Sequence, residues 1–155
     1  MIITGSTGAI DAAQPLSPQV VERTTAVLPA TTQTPYFTVS GRVLITQIVG
    51  EVTIVFDGTV NGIKIISNPT VGADVNLCNT TTVTSDSLGT VYNITGTLTD
   101  PLVATTSGAV IAQASAILVT DGTIDLYAAG TDTTGSTKWT VHYIPLDKGS
   151  FVVVA

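Results

Sequence analysis

Charged residues are scarce in this 155-residue chain. Asp, Glu, Lys and Arg together make up 10% of it, against roughly a quarter in an average soluble domain. Only five residues are basic, they are scattered singly, and the formal net charge is −6. Nucleic-acid binding depends on clusters of Lys and Arg that neutralise phosphates. The composition therefore argues against a nucleic-acid partner.

Cysteine and histidine each occur once, as Cys78 and His142. A lone cysteine excludes an internal disulfide and a multi-thiolate metal site. Neither residue lies in a motif of a known catalytic arrangement, although the sequence leaves a Cys–His pair open. We expect a buried thiol and an outward-facing histidine. We therefore assign no catalytic, cofactor-binding or metal-ligating residue and expect no cofactor.

Aromatic residues are also few, at 5% of the chain, which is low for a surface that binds or cleaves sugars. A glycosidase needs two carboxyl groups that face one cleft about 5–9 Å apart. The Asp residues instead lie in turn-like segments or at outward strand positions, and no EF-hand loop is present. A cation held between subunits by Asp from several chains stays an alternative. We expect the following side chains to be solvated: Asp57, Asp74, Asp86, Asp121, Asp125 and Asp132.

Long hydrophobic runs are missing, although the mean hydropathy is +0.48. No run approaches the roughly 18 residues of a membrane helix, so we expect no membrane partner. The first nineteen residues lack the basic and apolar segments of a cleaved signal peptide. Hydrophobic residues recur instead in short alternating pieces. A β-rich chain with so little charge is typical of a protein that covers its outer surface by self-assembly, and we expect an oligomer.

Residues 36–56 form the longest and most strongly strand-forming stretch. Hydrophobic residues occupy odd positions as far as Ile45 and even positions from Val52. Such a change of phase indicates a β-bulge near residues 46–47 or Gly50, or a strand that crosses between two sheets. We interpret the stretch as the central strand pair of a β-sandwich.

Downstream, short alternating segments are divided by Gly, Pro, Asn and Asp. The pattern predicts a hairpin that turns at residues 57–62 and continues as a strand over residues 62–68. Further strands are predicted over residues 73–78, 90–98, 110–119, 122–128, 138–144 and 151–154. Their predicted inward side chains are Val75, Leu77, Tyr92, Ile94, Leu98, Ile124, Leu126, Trp139, Val141 and Tyr143. The fold class is therefore all-β, an antiparallel β-sandwich or jelly-roll-like barrel.

Residues 1–35 differ from the rest because they contain four prolines and no sustained alternation. Ser17 and Pro18 allow one or two helical turns, whereas Thr24 and Thr25 disfavour a longer helix. We predict an extended N-terminal arm over residues 1–35, which lies on its own domain or on a neighbour. The β-sandwich domain is predicted over residues 36–155.

Three stretches of the chain resemble the head decoration proteins, also called cement or capsid-stabilising proteins, of tailed bacteriophages. They are YFTVSGRVLITQIVGEVT at residues 36–53, PTVGADVNLCNTTTV at residues 69–83 and WTVHYIPLDKGSFVVVA at residues 139–155. The resemblance implies a homotrimer that binds the major capsid protein on the outside of the shell, where hexamers meet, and locks the shell after expansion. It also implies synthesis in the host cytoplasm, a final location in the virion and a contact made by the N-terminal arm. Residues 1–35 depart from the shorter, more regular β-arms of such proteins.

Two alternatives stay open on the sequence. The chain could be a different phage structural part, such as a tail-fibre, baseplate or capsid-building β domain. It could also be a carbohydrate-binding module or a sugar-degrading enzyme, although the alternation places Phe56, Tyr92, Trp139 and Tyr143 in a core before it places them on a sugar platform. We expect a structural protein without enzymatic activity.

Overall fold

A computed structural model describes residues 17–25, 27–59 and 61–155. Every regular element in these ranges is a β-strand, and they contain no helix long and apolar enough to cross a membrane. The strands are β1 (Gln19–Thr25), β2 (Thr32–Ser40), β3 (Val43–Ile54), β4 (Gly62–Pro69), β5 (Val75–Asn76), β6 (Thr81–Thr82), β7 (Val91–Asn93), β8 (Val103–Thr105), β9 (Ile117–Val119), β10 (Gly122–Ala128), β11 (Ser136–Pro145) and β12 (Phe151–Val154).

The strands form two antiparallel sheets that pack face to face. The first sheet has the order β1-β11-β3-β7-β8, and β9 also pairs with β3. The second sheet has the order β12-β2-β10-β4-β5, and β6 also pairs with β4. Apolar side chains at alternate positions of both sheets meet in one core. The predicted all-β antiparallel sandwich is confirmed.

The stretch over residues 36–56 contributes one strand to each sheet. β2 ends at Ser40 in the second sheet, and Gly41 and Arg42 carry the chain into β3 of the first sheet. Gly41 has a φ of 72°, which a residue without a Cβ adopts at little cost. Along β3 the pairing with β11 skips Thr46. The β-bulge predicted near residues 46–47 is therefore confirmed.

Residues 19–25 form an extended strand, so the prediction that Ser17 and Pro18 begin one or two helical turns is wrong. β1 pairs with β11 over its whole length, from Gln19 opposite Tyr143 to Thr25 opposite Thr137. A helix of one or two turns lacks stability of its own, whereas Val and Thr residues beside a long strand gain a full ladder of hydrogen bonds. The division at residue 35 stays a prediction, and residues 1–16 lie outside the described ranges.

The hairpin predicted at residues 57–62 is also wrong. β3 belongs to the first sheet, whereas β4 pairs with β10, β5 and β6 in the second. Other loops hold the connection between them. Phe56 donates its N–H to Asp86 O (3.3 Å), and Asp57 accepts hydrogen bonds from the N–H groups of Thr59 (2.8 Å) and Thr133 (2.6 Å). The contacts with Asp86 and Thr133, which are distant in sequence, replace the tight turn that the local sequence indicates.

Only Ile117–Val119 of the strand predicted over residues 110–119 forms. The segment before it is irregular because side-chain amides, and not a neighbouring strand, bind its backbone. Gln47 Oε1 accepts a hydrogen bond from Gln113 N (2.8 Å), and Asn93 Nδ2 donates to Ile111 O (2.6 Å). The predicted strands over residues 73–78 and 90–98 likewise shorten to β5 and β7.

The core is organised around the stacked rings of Trp139 and Tyr92. Their centroids are 5.9 Å apart, with 13° between the ring planes. Gly50 lies opposite Trp139 in the β3–β11 pair, and a Cβ on Gly50 would come within 2.8 Å of the indole ring. Trp139, Val141 and Tyr143 are all buried, as the alternation predicts. Phe56 is buried as well, so these aromatic side chains fill the core and do not form a surface platform.

Candidate functional site

The single cysteine and histidine lie on different parts of the sandwich. Cys78 is buried, and its Sγ lies 3.3 Å from Ile65 N on β4 of the second sheet. Burial raises the pKa of Cys78 to about 11, which suppresses the nucleophilic thiolate. His142 is half-buried on β11 of the first sheet, between the core residues Val141 and Tyr143. Its side chain therefore points to the outer face, away from the core that holds Cys78.

Asp132 is one of two carboxylates whose predicted exposure is wrong. It is only 4% exposed, and its Oδ2 accepts a hydrogen bond from Asn61 Nδ2. Burial raises the pKa of Asp132, and the negative charge of Asp57 raises it further. Hydrogen bonds from Thr59 and Thr133 instead hold the pKa of Asp57 well below its ordinary value. The loop after β3 and the loop after β10 close over Asp132, which local turn signals do not reveal.

Tyr92 extends this polar cluster into the core. Its hydroxyl donates to Asp86 Oδ2 at 2.5 Å, and burial together with this bond raises the pKa of Tyr92. Asp86, Asp57 and Asp132 belong to three loops at the same end of the sandwich. Asp132 Oδ2 binds the side chain of Asn61, and Asp57 Oδ2 binds the backbone of Thr133. This arrangement is suited to fastening loops together.

Asp125 on β10 is the second buried carboxylate that sequence analysis predicted to be solvated. Its neighbours Ile124 and Leu126 face the core, so Asp125 faces the outside of the second sheet. It is nevertheless 1% exposed because Gln33 and Asn68 bind its Oδ2, at 2.8 and 3.2 Å. Within the described residues, no group of three His, Cys, Asp or Glu side chains forms a metal site.

The clearest candidate for an interaction surface is the side of the sandwich where β1 and β12 lie. Each is the last strand of its sheet within the described residues and is paired on one side only. Arg23 on β1 joins the two sheets here, since its Nη1 donates to Tyr36 O (3.1 Å) and Ala155 O (2.8 Å). We call β1 and β12 together the open side.

Large apolar side chains are exposed along the open side. Val20 on β1 is 59% exposed, and Phe151 and Val153 on β12 are 45% and 44% exposed. No residue of β12 is charged. Proteins usually protect edge strands with charges, proline or bulges, because unpaired backbone groups bind other strands. β12 lacks all of these devices, and the alternation in the sequence could not reveal that its strand lies at an edge.

A second apolar area surrounds a cavity of about 180 Å³ at the rim of the sandwich. Val75 and Leu98 line it and are exposed, although sequence alternation predicted both to be inward. Leu118 of β9 lines the same cavity and is also exposed. Both inward predictions are wrong, because Val75 and Leu98 lie around this rim cavity and not in the core.

Comparisons with known proteins give distant likenesses only. No protein-family model and no curated protein matches the chain. Among solved structures it is similar to a chain in the structure of the infectious bursal disease virus Gt strain, with 14% identity over 89% of this chain and 39% of that chain and a TM-score of 0.27. For the Gx strain the identity is 13% over 88% and 38% of the two chains, with a TM-score of 0.26. The chain thus spans about two-fifths of the length of these viral chains, and such TM-scores carry no argument about function.

Proposed function

We propose that this chain is a structural protein of a bacteriophage particle. It binds the outside of the capsid as a homotrimer and stabilises the shell. The observation that carries the proposal is the open side, where β12 is an uncharged edge strand with exposed apolar side chains and β1 exposes Val20. The resemblance of residues 36–53, 69–83 and 139–155 to phage head decoration proteins supports the choice of a capsid as the larger partner.

The open side is suited to contacts between copies. An exposed strand adds affinity through main-chain hydrogen bonds, and the alternate side chains that face the partner add specificity. On β12 the exposed side chains are apolar, so covering them removes apolar surface from water. The scarcity of charge in the chain leaves little electrostatic repulsion to oppose close approach of identical subunits.

Stabilisation of the shell would follow from mass action. A protein that binds only the assembled lattice lowers the free energy of that lattice by RT ln(1 + [L]/Kd). An oligomer with several equivalent contacts raises the effective concentration of each contact after the first has formed. In this proposal the partners are further copies of the chain and the major capsid protein, the location is the virion surface after synthesis in the host cytoplasm, and there is no enzymatic activity.

Replacement of Val153 by Lys tests the open side. A charge in the middle of β12 should leave the fold intact, because Val153 is exposed, and should disrupt packing with a partner strand. We expect light scattering of the unchanged protein to give a multiple of 15.8 kDa. We expect the V153K protein to shift towards the monomer and to occupy purified phage heads at least about tenfold more weakly.

Leu88→Lys is the matched control, because Leu88 is an exposed apolar residue in the loop before β7 and away from the open side. It should keep both oligomer mass and head occupancy. A stable monomer that binds no heads, or a V153K protein with unchanged occupancy, would contradict the proposal. Cryo-electron microscopy of intact particles would separate a decoration protein from a tail-fibre or baseplate part by its position.

A further inference from the structure

Asp125 presents an unusual balance of charge on the outer face of the second sheet. Its carboxylate is buried, and its Oδ1 has no hydrogen-bond partner. Its Oδ2 shares a single donor with a second carboxylate, since Gln33 Nε2 lies 2.8 Å from Asp125 Oδ2 and 3.0 Å from Asp74 Oδ2. One neutral amide group therefore stands between two negatively charged groups.

No basic side chain within the described ranges forms an ion pair with either carboxylate, that of Asp125 or that of Asp74. Lys64 lies over the ring of Tyr127, 5.2 Å from its centroid. Arg42 donates two hydrogen bonds to the carboxylate of Asp147. Arg23 binds backbone carbonyls at the open side. Buried charges are normally paired or bound to a metal ion. A cation from solution would therefore balance the charge of the Asp125 carboxylate.

The neighbouring side chains offer the oxygen atoms that such a cation needs. Rotation of a terminal amide by 180° exchanges its nitrogen and oxygen with little change of shape. Rotation at Gln33 would place Oε1 about 3 Å from both carboxylate oxygens. This is close to the spacing of neighbouring ligand oxygens around a calcium ion held at about 2.4 Å. Asn68, 3.2 Å from Asp125 Oδ2, offers a further amide oxygen in the same way.

We propose that Asp125 and Asp74, with the amide oxygens of Gln33 and Asn68, bind a calcium ion on the outer face of the second sheet. Both oxygens of Asp125 would then be used, and water would complete the coordination. All four donors are hard oxygens, which favours Ca²⁺ over metals that prefer nitrogen or sulfur. The ion would join β2, β10 and β4 to the segment that precedes β5.

Terbium, which replaces calcium at oxygen sites, provides a direct test. We expect the purified protein to give tyrosine-sensitised Tb³⁺ luminescence that Ca²⁺ displaces, and a higher Tm in about 5 mM Ca²⁺ than in EDTA. Asp74→Asn removes a ligand charge from an exposed position that does not endanger folding. It should weaken Tb³⁺ binding at least about tenfold and abolish the rise in Tm. Asp125→Asn should do the same.

Glu51→Gln is the matched control, because it removes one exposed negative charge from the first sheet and leaves the site unchanged. It should bind Tb³⁺ like the unchanged protein. Absence of Tb³⁺ luminescence together with an unmoved Tm in Ca²⁺ would overturn the proposal. It would also be overturned if the D74N protein bound Tb³⁺ as well as the E51Q protein does, since the ion would then be held elsewhere.

Discussion

Gly50 is required because the indole ring of Trp139 occupies the space that a side chain would need. A Cβ at this position would lie 2.8–2.9 Å from three carbons of the ring. Tyr92, which stacks on Trp139, pairs with Gly50 from the other side of β3. The absence of a side chain at Gly50 thus leaves room over β3 for two large aromatic residues from the strands on either side of it, β11 and β7.

Replacement of Gly50 by Ala should therefore destabilise the fold. The added methyl group forces the ring or the strand to move, and overpacking of this kind costs about 1–3 kcal/mol. Urea denaturation followed by tryptophan fluorescence would measure the loss. Gly58→Ala is the control, because the nearest atom to its Cβ would be Ser85 Oγ at 3.9 Å. Equal stability of the two variants would show that the ring adapts without cost.

The pair Asp57 and Asp132 makes stability depend on pH in two opposite ways. The folded-state pKa of Asp57 is lowered, so the stability that it contributes is present above its ordinary value of 3.8 and is lost as the pH falls towards the folded pKa. The folded-state pKa of Asp132 is raised, so its contribution is present below 3.8 and is lost as the pH rises through the folded pKa. At neutral pH, the raised pKa of Asp132 therefore weakens the fold.

Asp132→Asn should raise the free energy of unfolding at pH 7 and flatten its dependence on pH above the ordinary pKa of 3.8. The amide oxygen can still accept the hydrogen bond from Asn61 Nδ2. Asp57→Asn should have the opposite effect at pH 7, because its carboxylate accepts hydrogen bonds from the N–H groups of Thr59 and Thr133. Denaturant titrations at several pH values would measure both. A lower stability of the D132N protein at pH 7 would contradict the assignment.

At the scale of the element, β1 depends on Arg23 as well as on its ladder with β11. The guanidinium donates to carbonyls of residues 35, 36 and 155, and lies 4.6 Å from the centre of the Tyr36 ring. These contacts tie the edge of the first sheet to the second sheet. They are charge-assisted, and hydrogen bonds of that kind contribute about 1.5–3 kcal/mol each at most.

Arg23→Ala should loosen β1 and leave the centre of the first sheet intact. Hydrogen exchange of the β1 amides should accelerate by about tenfold or more, whereas exchange in β3 should stay unchanged. Lys148→Ala, which removes a basic residue from the exposed loop before β12, is the control and should alter neither strand. Uniform acceleration over the whole chain would mean that Arg23 supports the global fold and not the edge.

The sequence predicts long strands well and their partners poorly. Alternation identifies β10, β11 and β12 within one or two residues, and the phase change locates the bulge at Thr46. It fails at residues 57–62 and 110–116, where the backbone is held by the side chains of Asp57, Gln47 and Asn93. Such bonds join residues far apart in the chain, so no local pattern encodes them.

The same limit applies to the carboxylates. Turn signals correctly indicate where the chain leaves a strand, but they do not say which other loop covers that point. Asp125 and Asp132 are buried by segments about 60 to 90 residues away, including Gln33 and Asn61. The candidate calcium ligands could therefore be found only after the strands had been placed.

At the scale of the whole molecule, composition and structure both indicate apolar surface on the outside of the protein. The chain has few charges, and exposed apolar residues lie at the open side, around the rim cavity and in several loops. Composition alone predicts that surface must be covered, because low charge and high hydropathy make a large solvated surface unfavourable. It does not say which strand carries that surface, since edge and central strands share the same alternation.

The strand order also has a consequence for synthesis. β11 separates β1 from β3, and β12 completes the sheet beside β2. Strands near the start of the chain therefore cannot complete their pairing until strands near its end have been made. On the ribosome, the growing polypeptide would expose unpaired strands until residues 136–154 have emerged. Such high contact order slows folding and lengthens exposure to misassembly. A cell that makes many copies at once would therefore depend on chaperones during translation to keep the nascent chains apart.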